Sequence, residues 1–385
     1  SYREDPVSHI QQPMEWKVIG YDTNGDGTFS MTELWPSWFK GISKTSGNGG
    51  VGVTGETGTA TLQPEALANK LVLMNAALKQ NPKGSSTNYY DLSMHDVKGN
   101  ARATRSTANC YVISHPGYYK IPLVYGNAIT NGVNNTNAYI SQAPTGILGE
   151  AFILRHFKDH NNQDITDPWI EKTNGGANNG VDGAKLVWAD TPNLVHFGST
   201  PIVRNGNETF VQFEVKANDI QNGNAVIAVM KNNVVVWSWH LWFIHDDALN
   251  TTACWNYQNK RFDFTQETLG MKYTAWTATT YTSLRSIKVK VEQKTPNGGM
   301  RKFAYINITQ LPSNTCQGFA TLYQFGRKDA FPGTDANLSG IFNKNAGDNM
   351  SILNGIQHPE NFYPGLNSWG SGTPPTGYFY YNLWS

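Results

Sequence analysis

Residues 224–244, NAVIAVMKNNVVVWSWHLWFI, restrict the fold more than any other part of the chain. Two runs rich in β-branched and aromatic residues, each too short for a typical helix, flank Lys231-Asn232-Asn233. Such runs read as strands, and Asn tolerates the left-handed backbone that a tight hairpin turn requires. The segment therefore predicts the central hairpin of a β-sandwich. Trp237, Trp239, Leu241 and Phe243 fall on one face of its second strand, as a core strand needs.

The same two-residue period recurs elsewhere. In TFVQFEV, Thr209, Val211, Phe213 and Val215 alternate with Phe210, Gln212 and Glu214. In SIKVKVEQ, Ile287, Val289 and Val291 oppose Lys288, Lys290 and Glu292, and a turn containing Asn297-Gly298 leads into KFAYINITQ. This is the pattern of a half-solvated antiparallel hairpin. One stretch breaks the period: in PEALANKLVLMNAALKQ, Pro64 suits a helix start and Leu67, Leu71, Met74 and Leu78 form a helical stripe.

A chain of 385 residues predicts two or three domains, since single cores rarely grow past about 250–300 residues. The expected division is a small N-terminal β-sandwich over 1–62, a helix and linker over 63–105, and a larger sandwich region over 106–312. That region is divisible at 248/249, and an aromatic- and Gly-rich module over 313–385 follows it.

Lys plus Arg number 30 against 29 for Asp plus Glu, a net charge of +1. No broad basic surface for nucleic acid is expected from that balance. No apolar stretch reaches 18 residues, so no transmembrane segment is expected, and any export signal has been removed or lies outside the sequence. Cys110, Cys254 and Cys316 are too few for a disulfide framework. Cys110, in CYVIS, reads as a small buried hydrophobe, whereas Cys254 and Cys316 sit beside turn-like segments and pair only if the fold brings them together.

The sharpest local motif runs from Asp22 to Glu33, DTNGDGTFSMTE, which fits the twelve-position calcium loop D-x-[DN]-x-[DN]-G-x5-E. Calcium takes six to eight hard oxygens, and this spacing offers Asp22, Asn24, Asp26, the Thr28 carbonyl, Ser30 and Glu33. EWKVIGY before it reads as a strand and LWPSW after it carries a proline, so the loop is expected in a β context rather than between two helices. A Ca2+ ion there would stiffen the loop.

His240, His245, Asp246 and Asp247 are the other polar cluster. The two histidines differ by an odd number and project from opposite strand faces, so no convergent metal or acid–base site is expected. H-E-x-x-H, G-x-S-x-G, a phosphate loop, zinc-spaced cysteines and a strand-following G-x-G-x-x-G are all missing. The chain is accordingly not expected to be an enzyme. A glycosidase needs only two carboxylates about 5–10 Å apart, which leaves a polysaccharide-degrading alternative open through Asp246 or Asp247 with a distant Glu. Aromatics in loops supply the binding candidates, chiefly Trp255, Tyr257 and Trp369, because aromatic faces stack on sugars and anchor interfaces. Tyr281, Phe362, Tyr363 and the C-terminal YFYYNLW belong to the same group, and the last could be donated as a strand to another subunit.

The runs RSTANCYVISHPGYYKIPLVYGNAI, GNAVIAVMKNNVVVWSWHLWFI, RSIKVKVEQ with INITQ, and YQFGRKDAFPG, in this order, resemble Bacteroidales fimbrillin-like and fimbrial tip-like surface proteins with Ig-like modules of the BACON kind. The resemblance extends over most of residues 14–385. It implies a mainly β chain of tandem Ig-like β-sandwich domains with one short amphipathic helix and an irregular C-terminal module. It also implies export to the cell surface or outer membrane and a role as an adhesin or fimbrial accessory protein. The implied partners are other fimbrial or surface subunits, glycans or host proteins. In relatives the segment similar to YYNLWS continues into a lectin-like module, before which this sequence stops. A surface polysaccharide-binding protein and a plain structural stalk are the competing expectations.

Overall fold

The computed structural model describes residues 1–52, 55–64, 66–146, 154–295, 301–324, 327–334, 336–347 and 351–363. The chain is mainly β, and the α-helices among the described residues are three short ones, Lys70–Leu78, Thr173–Gly176 and Ile352–Gln357. It divides into two units, each assembled from separated segments. The first comprises Ser1–Lys70 with Trp276–Thr315, the second Leu71–Ala275 with Cys316–Ser385.

The second unit holds the larger core. Its five-stranded sheet runs Ser339–Gly340, Gly183–Ala189, Gly223–Lys231, Val234–Phe243, Cys110–Ile113. The central hairpin closes between Lys231 and Val234, and Asn232 and Asn233 sit at φ 50° and 65°. Two successive left-handed residues make the turn whose twist matches its strands. A four-stranded sheet of Ile202–Asn205, Glu208–Val215, Gly117–Pro122 and Tyr90–Asp91 contributes Tyr119, Ile121, Val211 and Phe213 to the same core as Ile227, Val229, Trp237, Trp239 and Leu241. The alternation predicted for Trp237 to Phe243 is what places those side chains there. Phe210 is also buried, under the cations of Arg105 and Lys120.

The opposite face of the central strands is buried too, and part of it is polar. Val187, Trp188, Val226, Ala228 and Val235 pack with Ala330. Beside them Ser238 donates to Asp329 Oδ1 at 2.6 Å, and Lys328 Nζ donates to the same oxygen at 2.6 Å. His240 lies 2.8 Å from the Tyr323 hydroxyl through Nδ1 and 2.9 Å from Asn224 Oδ1 through Nε2. Asn224 in turn donates to Asp190 Oδ2 and to the Gly270 carbonyl. The Ser238, His240 and Asn224 side chains are tolerated there because each finds a partner, whereas the indole nitrogens of Trp237 and Trp239 are buried with no hydrogen-bond partner. Burial pushes the His240 pKa down to about 3, so its ring is neutral.

In the first unit, the sheet runs Lys302–Gln310, Arg285–Gln293, Trp16–Asp22, Ser46–Gly47. Ile287 and Val289 meet Val18, Tyr21 and Phe39 in a small core, as the SIKVKVEQ alternation predicts. The expected turn at Asn297-Gly298 lies outside the described residues.

Two expectations meet different outcomes. The helix begins at Lys70 rather than near Pro64, because Leu67–Asn69 pairs as a strand with residues 277–279. Met74 and Leu78 of the stripe are buried, but Leu67 is exposed. The unit boundaries fall near 70, 275 and 315 instead of 62, 105 and 312, since the strand Trp16–Asp22 finds its neighbour in Arg285–Gln293. All three cysteines are free, Cys254 and Cys316 on exposed strands, while burial pushes the Cys110 thiol up to about 12.

Candidate functional site

Strands Thr251–Trp255 and Arg261–Thr265 form a two-stranded hairpin in the second unit with every residue exposed. A lone hairpin is marginally stable in water, so the local bonds that hold this one matter. At the tip, Asn256 Oδ1 accepts from the Gln258 and Lys260 amides at 2.9 and 3.0 Å. The backbone amides of Asn256 and Asn259 bond the Lys260 and Asn256 carbonyls, and Asn259 takes the left-handed conformation at φ 57°. At the base, Gln266 and Glu267 donate to the Asn250 and Ala248 carbonyls. Glu267 is buried, accepts from the Tyr273 hydroxyl at 2.6 Å and lies 3.3 Å from His245 Nε2. Lys98 pairs with Asp247 beside it.

The register decides what each hairpin face presents, because directly opposed residues share a face. Trp255 opposes Arg261 and Ala253 opposes Asp263, which puts the indole beside an ion pair in which Arg261 Nε and Nη2 reach Asp263 Oδ1 at 3.0 and 2.8 Å. Cys254 opposes Phe262 and Thr252 opposes Phe264, an apolar face. Tyr257 projects from the tip at 93% exposure, and Trp255, Phe262 and Phe264 stand at 65%, 48% and 58%. Each such ring left in water forgoes about 1.5–3 kcal/mol of burial. Phe262 and Phe264 make one apolar face, with Trp255 on the other and Tyr257 at the tip, so within ten residues the hairpin offers aromatic contacts on both faces. Tyr257 lies in the turn, whereas Trp255, expected in a loop, is the last residue of a strand; both are exposed. Phe262, Phe264, Arg261 and Asp263 were missed, although the alternation in RFDFT carries the signal. Trp369 lies outside the described residues, as does YFYYNLW. Tyr363 is buried instead of exposed, and Tyr281 lies under the Arg285 guanidinium at 3.5 Å.

The Asp22–Glu33 loop, in the first unit, leaves the strand Trp16–Asp22 and returns at Ser30, where Tyr21 and Ser30 exchange both backbone hydrogen bonds at 3.1 Å. Asp22 is buried and accepts from the Gly25 and Gly27 amides at 2.7 and 3.2 Å. Both glycines have positive φ, 80° and 83°, which lets the chain wrap that carboxylate. Asn24 Oδ1 accepts from the Asp26 amide, and Asp26 Oδ1 from the Thr28 amide at 2.7 Å. The latter bond holds the Asp26 carboxyl below its usual range. Glu33 folds back to the loop's start and accepts from the Thr23 amide and hydroxyl at 2.7 and 2.8 Å. The Ser30 hydroxyl faces Thr32 at 2.9 Å. The carboxylates are thus turned to local donors. Among the described residues no three His, Cys, Asp or Glu side chains converge as a metal site.

His240 and His245 serve separate networks, His240 within the second unit's polar core and His245 at the hairpin base. No helix among the described residues is long and apolar enough to cross a membrane. No family model, curated protein or solved structure matches the chain.

Proposed function

We propose that the chain is an exported cell-surface binding protein, an adhesin or fimbrial accessory protein built of Ig-like β-sandwich modules. It meets its partner through the hairpin of residues 251–265 and works by contact, with no turnover. One observation carries this reading: four aromatic rings are held in water on a hairpin stapled at both tip and base. The tip and base hydrogen bonds favour the folded hairpin before a partner arrives, which lowers the entropy cost of docking its rings. The partner classes that fit are other surface subunits, host proteins and glycans. Double substitution Trp255→Ala/Tyr257→Ala should abolish adhesion of chain-coated beads to target cells, or recovery of fimbrial subunits, while the fold is unchanged. Wild-type adhesion by the double variant would refute it.

A second reading, surface polysaccharide binding, is favoured by the face that sets Trp255 beside the Arg261–Asp263 pair. An indole for the sugar face next to groups that bond vicinal hydroxyls is carbohydrate-recognition chemistry. A glycan array with the Trp255→Ala control separates the two. We also propose that the Asp22–Glu33 loop takes up Ca2+ through Asp22, Asn24, Asp26, the Thr28 carbonyl, Ser30 and Glu33, with Asp26 and Glu33 exchanging amide partners for the ion.

A further inference from the structure

We infer that the cleft at the Trp16 end of the first unit's sheet binds a sugar bearing a carboxylate. Its volume, about 560 Å³, is that of a small-ligand site. Register explains the lining: Lys17 pairs with Glu292 on one side and Ser46 on the other, so the three side chains share a face. Glu15 and Lys294 lie two residues further along their chains on that face and bond each other at 2.6 Å.

The charges do not cancel. Glu292, only 11% exposed in its side chain, faces both Lys17 at 4.0 Å and Arg301 at 3.2 Å, so one carboxylate serves two cations. Arg301 reaches it through Nε, and its two Nη groups have no partner among the described residues. That open fork is the geometry that grips a carboxylate through two parallel hydrogen bonds. Ser46, on the same face as Lys17, and Asn48 add a hydroxyl and an amide suited to sugar hydroxyls. A neutral sugar would leave the surplus cation unmatched, and a small bare anion would leave the Ser46 hydroxyl and the Asn48 amide unused.

The test is equilibrium binding of the full chain to a galacturonic acid trisaccharide and to 3′-sialyllactose, with maltotriose and lactose as neutral counterparts. The acidic sugars should bind, the neutral ones should not, and Arg301→Ala should weaken binding about tenfold or more. Arg301 is 76% exposed, so its loss leaves the fold intact. Lys17→Ala should also weaken binding, and Lys216→Ala, which removes an exposed cation of the other unit, should leave it unchanged. Equal binding of acidic and neutral sugars, no binding of either acidic sugar, or wild-type affinity in Arg301→Ala would each overturn the inference.

Discussion

His240 shows how a single side chain couples the buried polar face to solution conditions. Burial holds its pKa near 3 against an ordinary value of about 6.5. Between those values the unfolded chain binds a proton that the folded chain excludes, so stability falls as pH drops through that window. The slope is about 1.4 kcal/mol per pH unit once the unfolded ring is fully titrating. His240→Gln, which keeps a hydrogen-bonding side chain, should be less stable than wild type at pH 7 yet lose less stability between pH 6.5 and 5. Urea unfolding across that range measures the difference, and parallel pH profiles would show that His240 is protonated in the fold. At the hairpin, Trp255→Ala and Tyr257→Ala remove rings that pack on little, so each should stay within about 0.5 kcal/mol of wild-type stability while binding is lost. A binding defect accompanied by a large stability loss would mean the rings are structural.

At the scale of elements, two hairpins of the second unit, the central one and that of residues 251–265, are opposites. The central hairpin is flanked on both sides by strands and has Ile227, Val229, Trp239 and Leu241 in the core. Among the described residues no third strand pairs with the hairpin of residues 251–265, and its strands have no buried face. Amides in the central strands should therefore exchange only through global unfolding, and those of 251–265 through local opening many orders of magnitude faster. Hydrogen exchange followed by mass spectrometry reads both, and equal protection would mean that the exposed hairpin is covered in solution. Ile227→Ala should cost about 2–5 kcal/mol. This contrast also explains what could be read from sequence. The central hairpin was legible because burial on one face imposes alternation and the Asn232-Asn233 turn imposes its own residue type. Of the exposed hairpin only Trp255 and Tyr257 were read: RFDFT does alternate, but its partner TTACW does not, since neither of its faces is buried. The start of the helix was illegible because the partner strand that captures Leu67–Asn69 lies some 200 residues away.

The whole molecule contains two cores of unequal size, each closed by segments distant in sequence. Hydropathy marks where strands end, but it does not say which distant strand completes a sheet, so linear domain boundaries could not anticipate this arrangement. The asymmetry makes the calcium proposal testable without a functional assay. The Asp22–Glu33 loop grows directly from the strand that pairs with Arg285–Gln293, so an ion bound there stabilises the first unit and leaves the second untouched. In calorimetry the smaller first unit should melt at the lower temperature, and Ca2+ at a hundred times its dissociation constant should stabilise that transition by about 2.7 kcal/mol. The upper transition should not move. Asp26→Ala should abolish the shift, because it removes one ligand and the carboxylate that holds the Thr28 amide. A shift of both transitions, or one that survives Asp26→Ala, would place the ion elsewhere, and no shift would mean that the loop is an ordinary Asx-rich turn.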